Sequence, residues 1–168
     1  MFDCGDQIVY GVHGVCTVIG TELRSVDRKK VEYYVLEPND QPGARFYVPT
    51  QNQAATAKMR QLLDRQELNS LLRSCEAVED IWILDDNRRK LRYRELLASG
   101  DRAELMKMLY TMREKRKELE ASGKRFHQCD ENFQRDAQRM LGSEISHVLH
   151  IRKDEVESYV LRIQSEKE

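Results

Sequence analysis

The chain has 168 residues, 28 basic and 29 acidic side chains for a net charge of −1, and 40% hydrophobic residues. That is apolar material for one ordinary domain or two small ones, which excludes wholesale disorder. Near-neutrality excludes a protein that coats nucleic acid by bulk charge. The stretch up to residue 70 holds 8 basic and 9 acidic residues and the remainder 20 of each, so any nucleic-acid contact must be local. No apolar run reaches the roughly 20 residues a bilayer span needs. The opening "MFDCGDQIVY" lacks the basic-then-apolar order of a secretory signal, and a cytoplasmic protein is expected.

In chain order the first elements are strands. "QIVY", "GVCTVIGTEL", "KKVEYYVLEP" and "ARFYVP" are rich in Val, Ile, Tyr and Thr and separated by glycine, proline or polar turns. Gly11 and Gly14 frame a tight turn between the first two. A fifth strand is possible around "KMRQLL". Four or five short strands with tight turns predict a small, bent sheet or barrel of the SH3 or Tudor type over residues 1–63.

From residue 64 helical signals take over and proline disappears. Asp64 with Glu67 reads as a capping box. A second helix should start at Asp85 or Asp86 and end at Ser99 before Gly100. Asp101 with Glu104 caps a third, with Leu105, Met108, Leu109 and Met112 as its apolar stripe. A fourth starts near His127 or Gln128 and carries Phe133, Ala137, Met140 and Leu141, with Gly142 a place to bend. Asp154 opens a fifth, with Val156, Tyr159, Val160 and Ile163 inward. The fold class is therefore α+β: a bent sheet followed by an all-α domain of about five helices over residues 64–168. The Met and Leu stripes read as core.

Catalytic patterns are lacking. There is no G-x-S-x-G, Walker loop, dinucleotide fingerprint or H-E-x-x-H, so no catalytic residue, cofactor or small-molecule substrate is expected. Cys4, Cys16, Cys75 and Cys129 form no C-x-x-C pair. Cys4, His13 and Cys16 offer three metal ligands in principle, His127 with Cys129 two and His147 with His150 two. Packed or idle thiols and an exposed helix end explain them as well, and no metal site is expected.

The densest cationic stretch is "DDNRRKLRYREL", residues 85–96. On a helix Arg88 and Arg92 share one flank and Lys90 and Arg94 the other, while Tyr93, Leu96 and Leu97 face the core. Lys90 and Arg94 can pair with Glu95 or with acids on neighbouring helices. By residue type alone this is either a solvated helix face or a patch that meets phosphate through its amino end.

"GDQIVYGVHGVCTVIG", followed by "EYYVLE" and "FYVP", resembles the RNA-polymerase-interacting domain of the CarD family of bacterial transcription regulators, a module also found in the transcription-repair coupling factor. Downstream, "NRRK" and "RELLASGDRAELMKMLYTMREKRKELEASGKR" resemble that family's helical domain, whose signature helix ends in A-S-G-D. The resemblance covers essentially the whole chain.

It implies that the N-terminal domain docks an edge strand on the RNA polymerase β subunit and that the helical domain touches promoter DNA at the upstream edge of the bubble, largely without base reading. The protein would then be nucleoid-associated through polymerase. Carried over residue by residue, the polymerase surface is Arg24, Arg45, Phe46 and Tyr47, with Tyr47 standing where some members carry arginine. The DNA surface is Asn87, Arg88, Arg89, Lys90 and Arg92, with Lys124 and Arg125 from an inter-helix loop. Where members often place a wedging tryptophan before two arginines, this chain has Asp86, which cannot wedge and repels phosphate. Trp82 lies four residues earlier and is either a substitute wedge or an anchor among Ile81, Ile83 and Leu84. Two other readings stay open: a protein-binding module without DNA contact, and a KOW-like RNA-binding barrel using the "DRKK" turn with Tyr33, Tyr34 and Tyr47.

Overall fold

The computed structural model describes residues 2–75 and 81–166. It divides into two compact units, Met1–Leu62 and Leu63–Glu168.

The first unit is a five-stranded antiparallel sheet: β1 (Gln7–Tyr10), β2 (Val15–Val26), β3 (Lys29–Pro38), β4 (Phe46–Pro49) and β5 (Met59–Gln61), in the order β4-β3-β2-β1-β5. Alternation of residue type sends Ile8, Cys16, Val18, Leu36 and Val48 to one face, where they form the core with Tyr34 and Met59. Between β1 and β2 the chain turns through Gly11–His13 and Gly14. Gly14, at φ 73° and ψ −146°, occupies a region open in practice only to glycine. β2 extends to Val26, beyond the stretch that residue type marked out, because β3 pairs with it as far as Val26↔Lys29. The β2–β3 turn uses Asp27 and Arg28, both at positive φ (48° and 64°), as a two-residue hairpin turn requires. A short helix, α1 (Gln53–Thr56), lies between β4 and β5, capped by Asn52 Oδ1 accepting from the Ala55 N–H at 3.1 Å. Four residues are too few for a helical period to show in the sequence.

The second unit is helical among its described residues: α2 (Arg65–Ser74), α3 (Asp86–Ser99), α4 (Arg102–Ala121), α5 (Gln128–Leu149) and α6 (Val156–Ser165). The fold class is α+β. Asp64 and Glu67 form the capping box of α2, Asp85 and Asp101 cap α3 and α4 by accepting the backbone N–H three residues on, and Gly100 ends α3 at φ 61°. α5 runs through Gly142 to Leu149, and a 3-10 turn, Lys153–Glu155, leads into α6. Leu72, Leu105, Met108, Met112, Ala137 and Met140 are fully enclosed in one core.

Two ion pairs are buried with that core. Glu144 on α5 is 2% exposed and accepts from Arg102 Nε at 2.7 Å, Arg102 Nη2 at 2.8 Å and the Leu63 backbone N–H at 2.9 Å. It ties the start of α4 and the entry of the chain to α5. Arg89 and Asp130 form the second.

Candidate functional site

The sheet unit presents an open edge at β4, which pairs only with β3. The Thr50 N–H donates to the Glu32 carbonyl at 3.0 Å. In an antiparallel ladder the direction alternates, so Phe46 and Val48 also turn their main-chain groups toward β3, while Tyr47 turns its N–H and C=O outward. Pro49 shares that outward orientation, which is where a proline removes no ladder bond. Its carbonyl accepts from Asn52 N at 3.1 Å in the turn. The edge open to a further strand is thus short and centred on Tyr47.

Side chains beside this edge are ordered by the pleat. Phe46 points to the core side, its ring 4.0 Å from the His13 ring and 6.5 Å from that of Tyr10; it supports the strand from beneath. Tyr47 lies on the opposite face, where the Arg24 guanidinium sits 3.4 Å from its ring centroid and Tyr33 meets it edge-on at 6.5 Å. Glu22 Oε1 accepts from Arg24 Nε at 3.0 Å. Arg24 is therefore held flat over Tyr47 by a carboxylate on its own strand. Arg45, just before β4, is exposed. Tyr33, which the sequence places only in the RNA-binding alternative, belongs to this cluster; its cross-strand position opposite Glu22 and Pro49 depends on register.

In the helical unit the cationic stretch divides. Arg89 is 3% exposed, on the buried stripe of α3 with Tyr93 and Leu96. Its Nε and Nη2 donate to Asp130 Oδ1 and Oδ2 at 3.1 and 2.9 Å, Nη1 to the Ile83 carbonyl at 2.7 Å, and Nη2 also to Asp86 Oδ1 at 2.7 Å. Burial by itself disfavours the guanidinium charge, and the hydrogen bonds it donates to Asp130 and Asp86, with the charges of those carboxylates, more than offset it. The reading of Arg89 as a phosphate ligand is corrected by this geometry: every face of the guanidinium is spent inside the fold. Asp86 likewise has a structural partner, and the Arg89 hydrogen bond holds its carboxyl below the usual carboxylate range, helped by the charges of Arg89, His127 and Lys90.

Trp82 is half-buried. Its ring stacks on Phe126 at 5.9 Å and 29°, Arg89 lies over its other neighbourhood at 4.6 Å from the centroid, and Arg116 lies 4.6 Å from the Phe126 centroid. In this arrangement it anchors the segment before α3 and is not presented as a wedge. Arg92 reaches Glu95 at 3.7 Å and Glu104 at 3.6 Å, so it is Arg92 that pairs with Glu95. Asn87, Arg88, Lys124 and Arg125 are exposed and Lys90 half-buried; among the described residues Arg88, Lys90, Lys124 and Arg125 form no ion pair. Trp82 on Phe126, and His127 close enough to act on Asp86, bring the loop bearing Lys124 and Arg125 beside the start of α3. Phe126, Arg116 and Asp130, which build this junction, lie far from α3 in sequence and carried no local signal.

Among the described residues no three His, Cys, Asp or Glu side chains gather as metal ligands. His13 clusters with the Tyr10 and Phe46 rings. Cys16 is enclosed, and burial first, then the Asp40 charge, push its thiol up to about 12. No helix among the described residues is long and apolar enough to cross a membrane.

A small antiparallel sheet whose β4 edge is open, with a cation stacked beside that edge, can accept a strand from a partner. Residues 2–63 match the family model described as the CarD-like/TRCF RID domain. This likeness to the CarD-like/TRCF RID domain covers well under half of the chain. The match spans the sheet unit. No curated protein matches the chain significantly.

Proposed function

We propose that the protein is a non-enzymatic, cytoplasmic transcription regulator that adds the β4 edge to a strand of the RNA polymerase β subunit and brings its helical unit to promoter DNA. The observation that carries the first half is the outward N–H and C=O of Tyr47 on an uncovered edge, in a domain with this likeness. Main-chain pairing supplies affinity there, and Arg24 over Tyr47, with Arg45 alongside, supplies specificity.

For the DNA half the support is the exposed set Arg88, Lys124 and Arg125. Three cations bind DNA weakly on their own, but tethering through the sheet unit raises their effective concentration at the promoter. Such contacts carry little sequence information. With Asp86 in the wedge position and Trp82 stacked on Phe126, stabilisation of open complexes is expected to be weaker than in relatives that insert a tryptophan. The burial of Arg89 and the pairing of Arg92 favour one alternative, a polymerase-bound module that never touches DNA.

The test measures two things on the full chain. Arg24→Glu should weaken binding to the isolated β-subunit lobe by at least tenfold. Reversal of Arg88, Lys124 and Arg125 to glutamate should leave that binding intact and lower the salt dependence of promoter-complex formation by about one unit of slope per lost phosphate contact. Unchanged salt dependence would favour the module without DNA contact, and absent lobe binding would remove the proposal.

A further inference from the structure

A further open edge lies on the side of β2 away from β3. β1 covers that side only as far as Gln7↔Thr17. The segment before β1 ends the cover, where the Gly5 N–H donates to the Val18 carbonyl at 2.8 Å and the Cys4 thiol to the Ile19 carbonyl at 2.7 Å. Over residues 20–26 β2 pairs with β3 alone. The Glu32 carbonyl points to β4, accepting from the Thr50 N–H, so Val31 and Tyr33 turn their main-chain groups to β2, and their partners Arg24 and Glu22 turn theirs to β3. Thr21, Leu23 and Ser25 therefore present N–H and C=O outward, and all three are exposed.

Leu23, 65% exposed, is the most exposed large hydrophobic residue among the described residues of the sheet unit, and no proline interrupts residues 20–26. An apolar edge left in this state is a template for another strand. The stretch is also complementary to itself when read antiparallel. With Leu23 opposite Leu23 of a second copy, Glu22 of each chain lies opposite Arg24 of the other, Thr21 opposite Ser25, and Gly20 opposite Val26. Because Leu23 faces outward, the central pair is of the hydrogen-bonded kind, with the two-fold axis between the leucines. A slide of two residues either way would oppose Glu22 to Glu22 or Arg24 to Arg24, so charge selects this register. The same register carries the β2–β3 turn, whose Arg28, Lys29 and Lys30 outnumber Asp27, toward the end of the other copy's edge, where Asp3 and Asp6 flank Cys4.

We propose that the β2 edge over residues 21–25 pairs antiparallel with the same edge of a second copy of this chain, giving a reversible homodimer. The occupant is a second copy because this edge supplies both halves of each complementary pair. The contact is short, so the dimer is weak and forms at high protein concentration. β4 lies beyond β3 on the other side of the sheet and stays open, so this inference can fail without the polymerase reading.

The experiment is sedimentation equilibrium of the full chain from low micromolar to near-millimolar concentration, where a reversible monomer–dimer equilibrium is expected. Leu23→Lys, at an exposed position, puts like charges at the axis and should weaken the dimer about tenfold or more. Glu22→Arg opposes like charges in both cross-strand pairs and should weaken it about tenfold, while the double variant Glu22→Arg with Arg24→Glu exchanges the charges and should restore most of the affinity. Tyr47→Pro, at the far edge, should leave the dimer unchanged. A monomer throughout the range, a Leu23→Lys variant that dimerises like wild type, or a charge exchange no better than Glu22→Arg alone would each overturn the proposal. Loss of the dimer in Tyr47→Pro would move self-association to β4 and overturn it as well.

Discussion

Replacing Arg89 by methionine tests whether the cationic stretch of α3 is partly an internal clamp. The substitution keeps the stem that packs beside Tyr93 and Leu96 but removes the guanidinium from Asp130, whose side chain is 1% exposed. Two hydrogen bonds at 3.1 and 2.9 Å are lost, and a carboxylate remains buried without its cation. Breaking one side of such a pair costs about 3–5 kcal/mol. At about 4 °C per kcal/mol for a unit of this size, melting of the helical unit should fall by roughly 12–20 °C. Arg88→Met, one residue away on the exposed side, should leave melting unchanged. The double variant Arg89→Met with Asp130→Leu should recover most of the loss, because no charge is then left stranded. Thermal unfolding followed by far-UV circular dichroism reads all three. If Arg89→Met melted within 2 or 3 °C of wild type (about 0.5 kcal/mol), the clamp would be refuted and Arg89 returned to the DNA surface.

Glu144→Gln removes the counter-charge of Arg102, and about 3 kcal/mol of stability should go with it, together with slower-exchange protection of the Leu63 amide measured by hydrogen exchange. Gly142→Ala, in a helix interior where the added Cβ meets only Val156 Cγ1 at an ordinary 4.0 Å, should stabilise the helical unit by about 1 kcal/mol; a destabilised variant would contradict that geometry. The pKa of His147 is lowered, by burial first and then by the charge of His150. A base with a lowered native pKa is favoured neutral in the fold, so its contribution is complete above the ordinary value of 6.5 and lost as pH falls through the native one. Urea midpoints should therefore drop between pH 7 and pH 5, and His147→Asn should flatten that drop; an equal drop in the variant would assign it to other groups.

Much of the fold was legible because its signals are local. Caps at Asp64, Asp85 and Asp101, the glycine stop at Gly100 and the alternation in β3 each act within a few residues. Exposure was legible where it follows from helix phase, as for Arg88. Arg89 shows where that reasoning stopped. Its spacing from Tyr93 and Leu96, four and seven residues, placed it on the apolar stripe, yet its charge argued for solvent. What decided the matter was Asp130, 41 residues away, and only the packing of α3 on α5 brings that carboxylate within reach. The stack of Trp82 on Phe126 and the meeting of Arg24, Tyr33 and Tyr47 depend in the same way on pairings that residue type does not encode.

The most direct test of the polymerase proposal is binding of the full chain to the isolated β-subunit lobe, comparing wild type with Tyr47→Pro. Because the Tyr47 N–H faces away from β3, proline there removes the outward donor while sparing the internal ladder. Saturable wild-type binding that falls by at least tenfold in a folded Tyr47→Pro protein is the expected result. Equal binding by the two proteins, or no binding by either, would contradict strand addition at β4.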